Sequence, residues 1–425
     1  GRQGRSQACA QGRARPGRLV TGATKSTQAA QGGRALMAVA AASAAVAAAE
    51  ATAPALADRL RGILVGAAIA DALASPAHWY YDTRALRRDY GVIKDFVKPR
   101  ADHAGSIMGL SNTGGAGRGS TGGPHIIGDV INHGKRSYWR SGAHYHATLA
   151  KGENTLNMQV NRMHVRTMAA AGKYSEDGFL AAYERFMTTP GSHNDAYAES
   201  YHRLFFQNRA AGKDLRHCAG DDGHNIASMG GFVMLPPVAA LAALRSPGGA
   251  AAAAGGAADD IEAAAKAAGE AAGRHVLLTH KSESLRAYAE VYGALVARVL
   301  LGVPLRDALQ VAGRAVGIDP ASLAARDSVP YSTACYIEDS FPWLCFLAAK
   351  HGGDAEAALI ANVMAGGENA HRGAALGALI GAAQGASAFP ARWREGLHDA
   401  SAIAAEADAF AALAIAPAST KSAEL

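Results

Sequence analysis

The run GAALGALIGAAQG at residues 373–385 puts Gly and Ala at three- and four-residue spacing along a helix. A helix face without side-chain bulk lets a second backbone come into close contact, so this stretch commits the chain to tight helix-on-helix packing. The seven residues before it, Gly366-Gly367-Glu368-Asn369-Ala370-His371-Arg372, make a tight turn that projects polar groups. Together they read as a polar site at a helix start. A second stretch of the same kind, Ala57 to Ser75 (ADRLRGILVGAAIADALAS), carries apolar residues at i, i+3 and i+4 with small residues on one face. This is the pattern of a buried helix.

Alanine and glycine are abundant, aromatics make up 6%, and apolar residues recur at helical rather than alternating spacing. The expectation is an all-α chain. Although 425 residues have room for two or three domains, both ends look unstructured and the hydrophobic content fits one large core. The division expected is a disordered or targeting segment over 1–55, one helical domain over 56–405, and an Ala/Ser tail over 406–425.

The formal net charge of +6 owes much to the first 34 residues, which carry arginines and a lysine but no acid. The remainder is close to neutral, so the basic balance is no argument for a nucleic-acid partner. That leading segment has the look of an organelle transit peptide, which would send the protein to a plastid or mitochondrion. If Met37 is the true start, a cytoplasmic protein is expected instead. The four cysteines (Cys9, Cys218, Cys335, Cys345) form no CxxC pair, pointing to free thiols in a reducing compartment. Nothing in the sequence requires a membrane span.

Several clusters bear chemistry. Pro76-Ala77-His78-Trp79-Tyr80-Tyr81-Asp82 follows the first helix, and His78 reads either as a pocket residue or as a structural histidine beside Trp79. Residues 101–136 are Gly-, Ser- and Asn-rich loop. GAGRGSTGG has phosphate-cradle letters, but no Lys-Ser/Thr follows and no strand precedes it. His144-Tyr145-His146 and Gly152-Glu153-Asn154-Thr155 lead into a helix over Met158–Ala171. Glu153 is an adequate hard ligand and Asn154 a weaker one, yet the same letters also serve as a plain helix cap. Asp195, Glu199 and His202 sit densely at another helix start, with Glu199 and His202 able to share a face. Asp221-Asp222-Gly223 reads as a turn, and Cys335 and Cys345 as packing thiols.

These clusters fall in an order that resembles the ADP-ribosylglycohydrolase family. Gly66 to His78 is similar to the opening motif Gly-Ala-x-x-Gly-Asp-Ala-Leu-Gly-x-Pro-x-Glu, with Asp71 at the Asp position and His78 at the Glu. Residues 152–155 stand where the family has Thr-Asp-Asp-Thr, and residues 366–371 where it has Gly-Gly-Asp-x-Asp-Thr. The segment from Gly220 through Pro237 is similar to another family stretch. The resemblance implies a single orthogonally packed helical domain with a central cleft. It also implies paired Mg²⁺ ions that hold an ADP-ribose group and position water against an anomeric carbon.

On that basis Glu153 and Glu368 are the expected catalytic carboxylates, and Glu153, Asn154 and Glu368 the expected metal ligands. His78, Asp82, His146, Asn369, His371 and Arg372 are the expected substrate contacts, Arg372 suiting an anionic group. The implied activity is hydrolysis of an N- or O-glycosidic bond of an ADP-ribosyl or related substrate, a small molecule or a modified side chain. Glu153 and Glu368 acting as an acid/base pair without metal is one alternative. A catalytically inactive ligand-binding or crystallin-like structural member, or an enzyme of other chemistry on the same fold, are the others. The oligomeric state is not legible.

Overall fold

The computed structural model describes residues 55–108, 126–221 and 225–416. The leading segment, the centre of the Gly-rich loop, Asp222 and the last nine residues lie outside the described residues. Everything described is helix and loop, with only isolated β-bridges and no strand among the described residues.

The first helix, α1 (Leu56–Ala74), is buried along nearly all of its length. It is followed by α2 (Thr83–Tyr90), then after a long loop by α3 (Leu156–Ala171), α4 (Glu176–Met187) and α5 (Ser200–Ala210). Next come α6 (Leu235–Arg245), α7 (Gly249–Ala253), α8 (Ala258–Leu277), α9 (Glu283–Leu300), α10 (Leu305–Ala315) and α11 (Pro320–Ala324). The chain closes with α12 (Ile337–His351), α13 (Ala355–Ala365), α14 (Asn369–Gln384), α15 (Ala391–Gly396) and α16 (Ala400–Ile415).

The centre is the antiparallel pair of α1 and α14. A Cβ on Gly66 would lie 2.2 Å from the Gly377 carbonyl oxygen, and one on Gly381 would lie 1.9 Å from that of Gly62. Even one methyl group has no place between the two backbones. Around this pair α3 and α16 pack against α1, α6 and α9 against both helices with α8 behind them, and α12 and α13 against α14. A second core joins α3, α4 and α5 through Leu156, Val160, Phe179, Tyr183, Phe205 and Phe206. Leu56–Ala77 is long and apolar enough to cross a membrane, but 94% of its apolar 18-residue window is buried inside the protein.

One expectation from the sequence needs correction. The tail proposed from residue 406 is in fact part of the domain, because α16 buries Ile403, Ala407, Phe410, Leu413 and Ala414 against α1 and α3. It is also held by charge: Arg162 of α3 donates to Glu406 at 2.8 Å and to Asp399 at 2.6 Å. Buried carboxylates are kept where such partners exist. The Ala-rich stretch after Ser246 folds into α7, which buries Gly249 and places Ala252 in a small alanine core.

Within the second core, His164 of α3 and His275 of α8 stack with ring centroids 4.8 Å apart. Tyr174 reaches His275 Nδ1 at 3.0 Å, while both ring nitrogens of His164 lack a hydrogen-bond partner. Burial drives His275 down to about 3, and burial with the His275 charge holds His164 well below the usual range. Both are therefore neutral in the fold.

Gly377→Ala should raise helix propensity by about 1 kcal/mol, yet the clash makes it destabilising by about 1–3 kcal/mol in a denaturant titration. For the histidine pair, folded values below the unfolded 6.5 mean that the unfolded chain takes up protons first, so their contribution erodes as pH falls from about 6.5. His164→Leu is expected to keep stability near pH 7 within about 1.5 kcal/mol. It should also flatten the fall in melting temperature between pH 7 and pH 5.

Candidate active site

The register of α1 on α14 brings the loop that leaves α1 against the turn that enters α14. That turn needs glycine: Gly366 and Gly367 have φ of 66° and 62°. A Cβ there would strike the Tyr80 and Thr333 carbonyl oxygens at 2.2 and 2.1 Å. The Trp79 amide donates to the Gly367 carbonyl at 2.8 Å and the Gly367 amide to that of Tyr80 at 2.9 Å, clamping the loop to the turn. Trp79 has a φ of 62°, costly for a bulky residue. Such strain persists only where the surroundings fix it, and it concentrates at functional sites.

Trp79 stacks on His78 at 4.1 Å between centroids and meets Tyr145 and Tyr197 edge-on at 4.4 and 4.9 Å. Its indole N–H donates to Glu368 Oε2 at 2.5 Å. Behind it runs a buried chain of carboxylates and imidazoles. Asp195 accepts from His146 Nδ1 at 2.9 Å, His146 Nε2 meets His78 Nδ1 at 2.7 Å, and His78 Nε2 faces Glu368 Oε1 at 3.4 Å. His371 Nδ1 then lies against Glu368 Oε1 and 3.3 Å from Glu199 Oε1.

Electrostatics sort these groups. Burial alone would raise Glu368, but His371 and His78 hold it well below the usual carboxylate range. Burial would lower His371, but Glu199 and Glu368 carry it up to about 10, so it stands as an imidazolium between two carboxyl groups. Burial takes His78 down to about 3, with Glu368 only partly opposing. Glu199 is pushed up, first by burial and also by Glu368, against the opposing pull of His371.

A cavity of about 230 Å³ opens beside this chain. Trp79, Tyr145, Tyr197, Tyr201 and Tyr336 wall it, and Glu199 is the carboxylate among its lining residues. Asn157 of α3 donates to Glu199 Oε2 at 2.9 Å, and Gly230 makes room for that oxygen, since a Cβ there would lie 1.9 Å from it.

The structure gathers His78, His146, Glu368 and His371 from the residues expected to form a site, and it separates the rest. Glu153 accepts from the Ala150 amide at 2.7 Å and from Asn194 at 3.1 Å, and is neither at Glu368 nor at the cavity. It braces the loop before α3. The Asn154 amide donates to Asp71 at 2.9 Å and to the Ala68 carbonyl at 2.8 Å, so it is a structural tie between α1 and α3. Asp82 is exposed and caps α2 through the Arg84 amide. Asn369 is spent on the Ala77 and Val363 carbonyls. Arg372 is fully buried, donating to Asn362 at 2.9 Å and to the Gly366 carbonyl at 3.0 Å; it holds the turn and is not among the residues lining the cavity.

Glu199, Trp79 and Asp195 complete the site without having been selected from the sequence. Glu199 was visible as an acid at a helix start, but no spacing ties it to residues 368 and 371.

Paired Mg²⁺ ions of the kind the resemblance implies do not fit these residues. Magnesium asks for hard oxygen donors and compensating negative charge. Position 370 is alanine, position 371 histidine, Glu153 and Asn154 are spent elsewhere, and Asp71 accepts instead from the Thr155 amide and hydroxyl at 2.8 and 2.6 Å. What is present is a buried cluster of His78, Glu368 and His371, whose ligating atoms lie within 4.8 Å of one another.

Comparison with known proteins agrees with the helical architecture. The ADP-ribosylglycohydrolase family model matches residues 52–420. A solved "ADP-ribosylglycohydrolase-related protein complex" superposes with a TM-score of 0.51 at 20% identity, covering 85% of this chain and 99% of its own. No curated protein matches the chain. With its family match spanning nearly the whole folded region, and two motif frames meeting at one buried site, the chain belongs to the ADP-ribosylglycohydrolase family.

Proposed function

We propose that the chain is a hydrolase that cleaves an N- or O-glycosidic bond of an ADP-ribosyl or related substrate, with Glu199 as the acid/base residue. The observation that carries this reading is the placement of Glu199. It is the carboxylate among the cavity-lining residues, set in an aromatic-walled recess beside a buried imidazolium. The aromatic rings suit the flat faces of a ribose or base. A cavity of about 230 Å³ is below the about 300–1,000 Å³ of pockets for drug-sized ligands, so one ring-sized part of the substrate enters and the remainder stays at the mouth.

An oxocarbenium-like transition state at the anomeric carbon calls for nearby negative charge and for a proton donor to the departing group. Burial raises the tendency of Glu199 to hold a proton, while His371 and the Asn157 amide stabilise its carboxylate. The net effect holds Glu199 above the usual carboxylate range, the direction that suits a proton donor. In this scheme Glu199 protonates the leaving group and then takes a proton from the attacking water. Glu368, behind Trp79, does not touch substrate. It holds His371, which holds Glu199.

A second reading is favoured by one observation: position 370 lacks the family's carboxylate and Asn154 is consumed in the core. On that reading the pocket binds an ADP-ribosyl group without turning it over. One experiment separates the two. Wild type is expected to release ADP-ribose from an ADP-ribosylated peptide or from an O-linked analogue. Glu199→Gln should lower kcat by about 10²–10⁴-fold while the thermal shift with ADP-ribose is retained. Turnover unchanged by Glu199→Gln removes the proposed role. A thermal shift with no turnover in wild type selects the binding reading.

A further inference from the structure

Glu199 also ends a second buried chain, one that starts in the apolar core rather than at the glycine turn. Asn157 of α3 donates from its amide nitrogen to Glu199 Oε2 at 2.9 Å, and its amide oxygen lies 3.1 Å from His202 Nε2. His202 Nδ1 in turn meets the Tyr183 hydroxyl of α4 at 2.5 Å. Tyr183 and His202 are fully buried, and the Tyr183 ring packs among Phe179, Phe205 and Phe206. In such surroundings the hydroxyl has one hydrogen-bond partner among the described residues, His202.

One direction of donation satisfies every link. Burial holds His202 well below the usual imidazole range, so the neutral ring offers one N–H and one lone pair. With the proton on Nε2, the Tyr183 O–H donates to Nδ1, Nε2–H donates to Asn157 Oδ1, and the Asn157 N–H is turned toward Glu199. With the proton on Nδ1 the chain reverses. The Tyr183 O–H then has no acceptor among the described residues, and Asn157 gives its N–H to His202 and sets its oxygen against Glu199 Oε2. A buried donor without an acceptor and two opposed oxygens both cost free energy, so the first direction prevails.

We propose that Tyr183 and His202 are positioning residues for Glu199: the hydroxyl fixes the His202 tautomer, the tautomer fixes the Asn157 amide, and the amide keeps Glu199 Oε2 an acceptor. The inference rests on Glu199 as the acid/base residue of the proposed hydrolase. Burial and Glu368 push Glu199 toward its protonated form, and the chain opposes them together with His371 of α14 and Arg203 of α5. Tyr197 and Tyr201 beside it stay neutral, because burial pushes both phenols up, and burial takes the neighbouring His280 down to about 3. With Oε2 enclosed by Asn157 and Gly230, the proton that Glu199 exchanges resides on Oε1.

Two readouts need no substrate. Long-range proton–nitrogen correlation spectra of ¹⁵N-histidine protein, with His202 identified by its contacts to the Tyr183 and Tyr201 rings, are expected to show a neutral ring protonated on Nε2. Infrared titration follows the carboxyl C=O band of Glu199, assigned by its loss in Glu199→Gln. Tyr183→Phe should move that titration up by about 0.5–1 pH unit, since support for the charged form is weakened, and Asn157→Leu should move it up by about 1–2. In the Asn157→Leu background Tyr183→Phe should add nothing, because its effect passes through the amide. Circular dichroism checks that each variant is folded, and the wild-type tautomer decides the matter even where one is not. His202 protonated on Nδ1, a Glu199 titration unmoved in folded Tyr183→Phe, or a Tyr183→Phe shift that persists without Asn157 would overturn the proposal. Where wild type turns substrate over, the alkaline limb of kcat/KM should move with the infrared shift. The expected tautomer and shifts without ADP-ribose release would uphold the chain and count against the hydrolase reading alone.

Discussion

Backbone contact between α1 and α14 is the constraint on which the site depends. Gly62 lies against Gly381, Gly66 against Gly377, and Ala70 against Gly373, so the two helices advance by four residues together in opposite directions. One more step in that register carries the end of α1 past the start of α14. His78 and Trp79 then have nowhere to sit but against Glu368 and His371. Helices held apart by ordinary side chains pack 8–10 Å axis to axis and tolerate small shifts. Meshed glycines leave far less room for sliding, and a polar constellation that must hold to a fraction of an ångström gains from that rigidity.

Charge inside this body is placed rather than merely tolerated. Asp71 and Asp195 both lie at the start of α3, accepting from the Thr155 and Leu156 amides at 2.8 and 2.9 Å, where helix-end donors favour a carboxylate. Arg162 is matched by Glu406 and Asp399, and Arg372 by carbonyl and amide oxygens. After those pairings, the acids left around His371 are Glu199, which lines the cavity, and Glu368, which lies behind Trp79. The imidazolium offsets the mutual repulsion of two buried carboxylates, one of which would otherwise take up a proton. The interior therefore holds one positive position flanked by two acids.

The helical architecture was legible because its cause is local. Gly and Ala at four-residue spacing in 373–385 and in Ala57–Ser75 announce helices that touch at the backbone, and these two do. Much of the site was not legible, because the sequence shows which residues are polar but not where their hydrogen bonds go. Glu153, Asn154, Asp82, Asn369 and Arg372 all sit at turns or helix starts, as ligand-binding groups do, and each is engaged there by a backbone group or a neighbouring side chain. Glu199 was hard to single out for the opposite reason. Its role comes from contacts with Asn157, Gly230 and His371, all more than 25 residues away in sequence. The C-terminal helix was misjudged on composition: an alanine-rich stretch with few large side chains looks like a tail, until Phe410 and Glu406 find partners in α1 and α3.

The departures from the family motifs are easier to understand as one change than as several losses. Where the motifs carry oxygen donors, this chain has His78 and His371, and the remaining motif carboxylate at that place, Glu368, is the one that both histidines touch. If the site had simply decayed, nothing would keep the replacements supported, and buried imidazoles would be poor substitutes because burial costs them their charge or an unpaired nitrogen. Here the support is elaborate. Asp195 and His146 orient His78, Trp79 pays backbone strain to hold Glu368, and Gly230 clears space for Glu199. Local choices that agree with one another at several positions are the mark of a specified arrangement. What they specify is a buried imidazole–carboxylate cluster beside an aromatic-walled pocket, with Glu199 standing between the two.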